Sequence, residues 1–295
     1  MTAVPAWLLR VVLIPLIAYA VVVALLLVFE KRLVFFPQFP GRLSGDWSPS
    51  DLDREEVWIT AADGVRLSAW WVLAPSNTTA DLPTFLCLHG NASNIAERAD
   101  VYRFLRRLPA NVLAVEYRGY GRSEGAPSED GLYRDADAAY MWLARERGIP
   151  PRRILVLGQS LGTAVAAQLA SQREVGGVVL EAPFPSARSL ARRIYWFLPG
   201  LSWFIRSRFE TTKNLEEAHR RFHSSLLVIH CTQDPVIPFA FGREVFDAAA
   251  EPKFFLAVAG PCHEEASFID PESVRRALLA FVSRVQDADY GGRPR

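Results

Sequence analysis

A single glycine-flanked serine constrains the fold of this chain more than any other feature. The sequence Gly158-Gln159-Ser160-Leu161-Gly162 follows the apolar run 154–157 and precedes the alanine-rich run 163–170. A buried strand is therefore expected to turn directly into a helix at Ser160, which is the setting of a nucleophile elbow. Glycines on both sides allow this tight turn without a Cβ clash and expose the hydroxyl at the end of the strand. A loop serine between glycines satisfies the same short pattern, so its meaning depends on partners elsewhere in the chain.

Apolar runs alternate with amphipathic runs on both sides of the elbow. The first two strands are predicted at 55–60 and 65–73, joined by an Asp-Gly hairpin signal. Further strands are predicted at 84–88, 112–116, 154–157, 178–180, 226–231 and 254–258. Helices are predicted at 95–108, 130–147, 161–172, 239–250 and 271–285. This alternation predicts an α/β fold, with a mostly parallel sheet covered on both faces and a ligand site beyond the carboxyl ends of its strands.

The amino end carries a long apolar run. Residues 11–29 contain no charged side chain and consist almost entirely of Val, Leu, Ile and Ala, so they are long enough to cross a bilayer as one helix. A cleaved signal peptide is the alternative, because Ala18-Tyr19-Ala20 has the form of a cleavage site. Nine apolar residues follow that site, which favours a retained anchor. We assign 1–32 as a single-pass membrane anchor.

The side of the membrane on which the domain lies is left open by the sequence. Basic residues flank both ends of the apolar run, so the positive-inside rule does not decide the orientation. The following residues, 33–54, are interpreted as a neck or linker. Its aromatic residues Phe35, Phe36 and Phe39 either lie at the membrane interface or pack on the domain.

Two loops supply candidate partners for Ser160. A serine hydroxyl is a poor nucleophile at neutral pH and needs a base, which in turn needs an orienting carboxylate. Asp234 follows the predicted strand 226–231, and His263 follows the predicted strand 254–258. The other four histidines lie at a strand end, inside a strand or in a charged stretch, so His263 is the predicted base.

Acyl transfer also needs donors for the developing oxyanion, and main-chain N–H groups usually provide them. The N–H of Leu161, directly after the serine, is one predicted donor. The N–H of Asn91 is the other, because the loop 89–94 leaves the predicted strand 84–88. A second interpretation of this loop, compatible with the first, is that Ser93 or Asn94 caps the following helix.

Several motifs in order carry a family resemblance. HGNASN, EYRGYGRSEGAPSE, GQSLG, CTQDPVIP and GPCHE together resemble the serine hydrolases of the α/β-hydrolase superfamily, in particular its membrane-anchored α/β-hydrolase-domain group. The resemblance covers roughly residues 55–285 and implies the α/β-hydrolase fold. It also implies the triad Ser160, Asp234 and His263, oxyanion donors on Asn91 and Leu161, and no cofactor. Cys262, next to the predicted base, departs from the pattern and has no assigned role.

Composition narrows the functional classes. The net charge of +1, from 33 basic and 32 acidic residues, argues against a nucleic-acid-binding protein. Of three cysteines, Cys87 and Cys231 lie in apolar runs, which predicts a reduced core and not a disulfide framework. No spacing resembles a zinc site, and no metal is expected.

The hydrolase domain is predicted to span 55–286 and to contain an insertion. About 45 residues separate the strands 178–180 and 226–231, more than a crossover helix needs, so a short cap is predicted at about 184–222. Its aromatic clusters, bracketed by arginines, either pack on the domain or form a lipid-facing lid. Residues 287–295 are expected to be a flexible tail, and Asn77-Thr78-Thr79 matches a glycosylation sequon.

These observations predict a membrane-anchored serine hydrolase of the esterase and lipase class. It would cleave a carboxylic ester, such as a lipid or acyl ester, through an acyl-enzyme intermediate. A protein depalmitoylase acting on thioesters and a peptidase use the same triad and stay open, as does a non-enzymatic membrane-tethered interaction protein on a hydrolase scaffold. No obligatory protein partner is inferred. The sequence determines neither the substrate, its chain length nor the oligomeric state.

Overall fold

The structure is a computed structural model that describes residues 6–75 and 82–290, with side chains described for 10–75 and 82–285. The predicted glycosylation sequon at 77–79 and the end of the predicted tail, 291–295, lie outside the described residues.

An eight-stranded sheet forms the centre of the domain. Its strands are β1 (Arg54–Thr60), β2 (Arg66–Val72), β3 (Thr84–Leu88), β4 (Asn111–Val115), β5 (Ile154–Gln159), β6 (Gly177–Glu181), β7 (Ser225–Cys231) and β8 (Lys253–Val258). They lie in the order β1-β2-β4-β3-β5-β6-β7-β8. The strands β1 and β2 form the predicted antiparallel hairpin, β2 pairs antiparallel with β4, and every other neighbouring pair is parallel. The predicted α/β fold class is confirmed.

Helices cover both faces of this sheet. They are α1 (Ala6–Val28), α2 (Glu30–Val34), α3 (Ala99–Arg106), α4 (Glu129–Met141), α5 (Leu161–Gln172), α6 (Ala187–Ile194), α7 (Leu201–Phe204), α8 (Thr211–Phe222), α9 (Phe239–Ala248), α10 (Ala266–Ile269) and α11 (Pro271–Tyr290). Because successive side chains of a strand point to opposite faces, β5 contributes to two cores. Ile154 and Val156 pack in one hydrophobic cluster, whereas Leu155 and Leu157 pack in the other. Burial on both faces explains why the central strands are continuous apolar runs.

The amino-terminal helix α1 stands apart from these cores. Its segment Arg10–Val28 is long and apolar enough to cross a membrane by length and composition. Helical structure continues almost immediately in α2, up to Val34, since no proline lies between Pro15 and Pro37.

Two predicted boundaries differ from the structure. Helix α8 lies within the predicted cap, yet it packs on α5 and buries Leu215 and Ala218 in the main core. The part of the insertion that lies over the site is therefore 185–210. At the carboxyl end, α11 continues to Tyr290, so residues 287–290 of the predicted tail are helical.

The prediction of a reduced cysteine core is wrong. Cys231 and Cys262 form a disulfide, and only Cys87 is a free cysteine among the described residues. The parallel strands β7 and β8 are neighbours, and Cys231 pairs in register with Val258. The loop that follows β8 therefore returns Cys262 to the end of β7. Cys262, which had no assigned role in the sequence, is consequently a structural crosslink in this fold.

Candidate active site

The chain turns sharply between β5 and α5 and presents Ser160. This residue has φ 49° and ψ −115°, a backbone conformation that residues other than glycine rarely adopt. A Cβ at Gly158 would overlap the carbonyl of Gly162, and a Cβ at Gly162 would overlap the carbonyl of Leu88. Both glycines are therefore required by close backbone contacts, and the turn has the features of a strained elbow.

The structure brings the three predicted site residues together at the carboxyl ends of β5, β7 and β8. His263 Nε2 lies 2.9 Å from Ser160 Oγ, and His263 Nδ1 lies 2.7 Å from Asp234 Oδ2. Both are ordinary hydrogen-bonding distances. The residues form one continuous hydrogen-bonded chain from carboxylate to hydroxyl.

The carboxylate of Asp234 is fixed by its own loop. Its Oδ1 atom accepts hydrogen bonds from the N–H groups of Val236 (2.7 Å) and Ile237 (2.8 Å). Burial alone would raise the pKa of Asp234, but hydrogen bonds from His230 and His263 outweigh it and hold this pKa well below its usual range. Asp234 therefore stays ionised at neutral pH and acts only as an acceptor.

The imidazole of His263 is polarised by this carboxylate. Burial disfavours the charged ring, but the hydrogen bond to Asp234 and the charge of Glu264 outweigh burial, so the pKa of His263 is raised above 6.5. The ionised carboxylate of Asp234 can only accept a hydrogen bond from Nδ1–H of His263. The proton of the neutral ring therefore lies on Nδ1, and the lone pair on Nε2 faces Ser160. This is the tautomer that a general base for the serine needs.

The residues of the two predicted oxyanion donors, Asn91 and Leu161, line the same cavity as Ser160. Leu161 is the first residue of α5, so its N–H is among the helix N–H groups that have no intrahelical acceptor. The side-chain Oδ1 of Asn91 accepts from the hydroxyl of Tyr120 at 3.1 Å and from the N–H of Phe36 at 3.2 Å, which fixes the loop.

The second interpretation of this loop, a side-chain cap on the following helix, is wrong for α3, which begins at Ala99 after Arg98 and has no side-chain cap hydrogen bond. Asn94 instead caps the turn 95–98 that precedes this helix. Its Oδ1 atom accepts from the N–H groups of Ala96 (2.8 Å) and Glu97 (3.1 Å), as a capping side chain does. Its Nδ2 atom donates to main-chain carbonyls in the neck. The turn is therefore capped by Asn94, while Asn91 remains at the cavity.

Sequence reasoning missed a buried carboxylate next to the elbow. Glu181 ends β6 and accepts hydrogen bonds from Gln159 Nε2 (2.8 Å) and from the N–H of Ala266 (2.9 Å). It thus joins the residue before Ser160 to the helix that follows His263. Burial raises the pKa of Glu181 to about 7. The signal in the sequence is an acidic residue at the end of an otherwise apolar strand.

A partly buried ion pair was also missed. Arg98 donates to Glu264, directly after His263, at 2.7 Å and to the carbonyl of Ala92 at 3.0 Å. The pair joins the loop of Asn91 to the loop of His263, so it holds together the two sides of the site. Nothing in the local sequence pattern couples residues that lie so far apart in the chain.

A cavity of about 550 Å³ opens from Ser160 and His263. Its remaining walls are mostly apolar and come from the cap and from the amino-terminal helices. Trp196, Phe197, Trp203 and Phe204 of the cap are instead more than half exposed on its outer surface. Among residues 6–75 and 82–290, no group of three or more His, Cys, Asp or Glu side chains is placed to hold a metal ion.

A parallel sheet arranged around such an elbow, with acid and histidine on later strand ends, is the architecture of an α/β-hydrolase. The model of the alpha/beta hydrolase fold family matches residues 83–218. The chain is 31% identical over 228 residues to the alpha/beta hydrolase domain-containing protein 17B of Xenopus tropicalis, which covers 75% of this chain and 74% of that protein.

Two further similarities agree with this match. The lysophosphatidylserine lipase ABHD12 of Danio rerio is 34% identical over 190 residues, which cover 58% of this chain and 48% of that protein. A Pyrococcus furiosus esterase has a similar structure, with a TM-score of 0.67, 24% identity and coverage of 85% of this chain and 97% of the esterase. The chain therefore belongs to the α/β-hydrolase family.

Proposed function

We propose that this protein is a membrane-anchored serine hydrolase that cleaves carboxylic esters, with Ser160 as its nucleophile. One observation carries the proposal. The hydrogen-bonded chain from Asp234 through His263 ends on a strained serine that faces an apolar cavity. Strain, base and acid together are the arrangement that activates a serine hydroxyl, whereas an ordinary loop serine needs none of them.

The reaction proceeds in two halves. His263 Nε2 takes the proton of Ser160 as Oγ attacks the ester carbonyl, and the N–H groups of Asn91 and Leu161 stabilise the oxyanion. The tetrahedral intermediate collapses, the imidazolium protonates the leaving alcohol, and the acyl group remains on Ser160. Water, deprotonated by the same imidazole, then releases the carboxylic acid and restores the serine. Asp234 stays ionised throughout and stabilises the imidazolium.

An acyl ester is the substrate class that the cavity favours. A volume of about 550 Å³ lies within the range of roughly 300–1,000 Å³ typical of ligand sites. Ser160 and His263 line a cavity whose other walls are mostly apolar, which suits an ester group at the serine and a hydrocarbon chain in the remainder. The similarity to a lysophosphatidylserine lipase supports an ester lipid substrate, whereas no contact in the site specifically favours a thioester or an amide.

Retention of the amino-terminal segment as an anchor is supported by contacts of α1 and α2 with the cap. The Tyr19 hydroxyl donates to the carbonyl of Pro199, and the carboxylate of Glu30 accepts from the N–H of Ser207 at 2.7 Å. Cleavage after Ala20 would remove the first of these contacts. The outward-facing aromatic residues of the cap, together with its exposed arginines, suit attachment to a membrane surface.

Labelling with a fluorophosphonate tests the nucleophile. The full chain in detergent should react covalently, Ser160→Ala should not, and Ser171→Ala, at the far end of α5, should react like wild type. The reacted peptide identified by mass spectrometry should contain Ser160. Absence of labelling in the folded wild-type protein, or equal labelling of Ser160→Ala, refutes the proposal and favours a non-enzymatic interaction protein.

Rates on matched substrates test the bond type. The purified protein should hydrolyse a fatty acyl ester faster than the corresponding acyl thioester or acyl amide. Preference for the thioester would instead indicate a depalmitoylase, and preference for the amide a peptidase.

A further inference from the structure

We propose that the juxtamembrane segment, residues 26–36, is a wall of the substrate site and sets the length of acyl chain that the enzyme accepts. This inference rests on the proposed function, because it assigns the cavity to the acyl chain. It places part of the binding site outside the hydrolase domain, on the end of the membrane anchor.

The segment faces the cavity along one side of the chain. Its cavity-lining residues are Leu26, Leu27, Glu30, Leu33, Val34 and Phe36. The spacing of three to four residues between most of them is that of one helix face. Hydrogen bonds from the N–H of Phe29 to Leu25 (2.9 Å) and from the N–H of Leu33 to Phe29 (3.1 Å) continue the helical pattern across the junction of α1 and α2. The leucines therefore form a continuous apolar surface opposite the cap.

Glu30 fixes this wall to the cap. Its side chain is buried, and its carboxylate accepts hydrogen bonds from the N–H groups of Arg206 (3.1 Å) and Ser207 (2.7 Å). A carboxylate bound by main-chain N–H groups is a strong and directional contact. Phe35 adds an edge-to-face contact with Phe209, with ring centroids 6.2 Å apart.

The other end of the segment is fixed to the oxyanion loop. Phe36 and Ala92 form a parallel β-bridge, and the N–H of Phe36 donates to Asn91 Oδ1 at 3.2 Å. Directly beyond the segment, the carbonyl of Phe39 accepts from the N–H of Ser93 at 2.7 Å. The position of the anchor and the position of the predicted oxyanion donor are therefore linked through backbone contacts.

These contacts give the acyl chain a defined path. The cavity extends from Ser160 to Leu26 and Leu27, which lie within the helix that is long enough to cross a membrane. A hydrocarbon chain in this cavity lies along the anchor helix, where it avoids exposure to water. The distance from Ser160 to these leucines therefore limits the length of the chain that the cavity holds.

A tryptophan at Leu27 tests the wall. The added volume should block the distal part of the cavity, which holds only the longer chain. The full chain in detergent is assayed with p-nitrophenyl butyrate and p-nitrophenyl palmitate. The ratio of kcat/KM for the palmitate ester to that for the butyrate ester should fall at least about tenfold in Leu27→Trp. Each methylene group that an apolar pocket no longer holds lowers kcat/KM by about tenfold or more.

Leu25→Trp is the matched control. Leu25 lies two residues away on the same helix, is 51% exposed and does not line the cavity, so the substrate ratio should stay at the wild-type value. Equal ratios in Leu27→Trp, Leu25→Trp and wild type overturn the inference while leaving the proposed hydrolase intact. If Leu27→Trp does not react with a fluorophosphonate, Leu33→Trp replaces it, because Leu33 lines the cavity and is 42% exposed. A wild-type protein that reacts with neither ester nor fluorophosphonate refutes the proposed function, and the inference falls with it.

Discussion

Reduction of the Cys231–Cys262 disulfide should weaken the protein by an amount that the structure allows to be calculated. The bridge joins the end of β7, three residues before Asp234, to the residue directly before His263. The loop that it closes, 231–262, contains Asp234, and His263 follows this loop directly. Reduction should loosen the loops of Asp234 and His263 relative to each other as well as lower the overall stability.

The magnitude follows from the length of the closed loop. The two cysteines are 31 residues apart, and the chain-entropy model for a loop of that length gives about 3.7 kcal/mol at 25 °C. For a domain of this size, each kcal/mol shifts the melting temperature by about 2–4 °C, so reduction should lower Tm by roughly 7–15 °C. Asp234 and His263 lie on the two loops that reduction releases. Esterase activity should therefore be lost at a lower temperature than the temperature at which tryptophan fluorescence reports global unfolding.

Thermal unfolding of the full chain in detergent, with and without a phosphine reductant, measures this effect. Cys87→Ala should keep the full difference, because Cys87 is the buried free thiol. The double variant Cys231→Ala/Cys262→Ala should melt at one temperature under both conditions. Coincident curves for oxidised and reduced wild type, or a reductant effect that persists in the double variant, would refute the reasoning.

Four further results are expected from the site. Gly162→Ala should yield little folded or fluorophosphonate-reactive protein, because its Cβ overlaps a carbonyl, whereas Gly41→Ala, with only ordinary contacts, should behave like wild type. Asp234→Asn should lower kcat on p-nitrophenyl butyrate about 10,000-fold through the wrong imidazole tautomer, and a loss under tenfold would contradict the assigned role. The pKa of His263 is raised and the base must be neutral, so kcat/KM should fall as the pH drops through a value above 6.5. A fall in kcat/KM only below pH 6.5 would argue against the stabilisation of the charged His263 by Asp234. Burial raises the pKa of Glu181 from 4.5 to about 7, so between these pH values the folded state retains a proton that the unfolded chain loses. The free energy of unfolding should therefore decrease by up to about 3 kcal/mol as the pH rises from 4.5 to 7. Urea titrations at both pH values should show a smaller decrease for Glu181→Gln, and equal decreases would exclude this source.

The sequence was informative where function depends on local pattern. The apolar run before Ser160 predicts a strand, and the alanine-rich run after it predicts a helix. Helix α5 begins and ends at the predicted residues. Asp234 and His263 could be selected because loops after parallel strands meet at one edge of a sheet. Their hydrogen-bonded distances then follow from the positions of the strand ends.

The sequence was uninformative where two distant segments had to meet. The disulfide depends on the register of β7 with β8, and an odd number of cysteines gives no pairing. Glu181 and the Arg98–Glu264 pair are ordinary charged residues in the sequence until the fold buries Glu181 and joins the pair across two loops of the site. For the same reason, α8 resembled part of a cap until its packing on α5 was known.

The sequence by itself determined the alternation of strands and helices, the elbow at Ser160 and the order of its partners, because these depend on residue periodicity and on short-range backbone sterics. Only the tertiary structure decided which groups surround the serine. It paired Cys231 with Cys262, buried Glu181 and placed the end of the amino-terminal helix α1 against the cavity at Ser160. Those contacts join segments far apart in the chain, and their formation depends on strand order and packing, which no local pattern specifies.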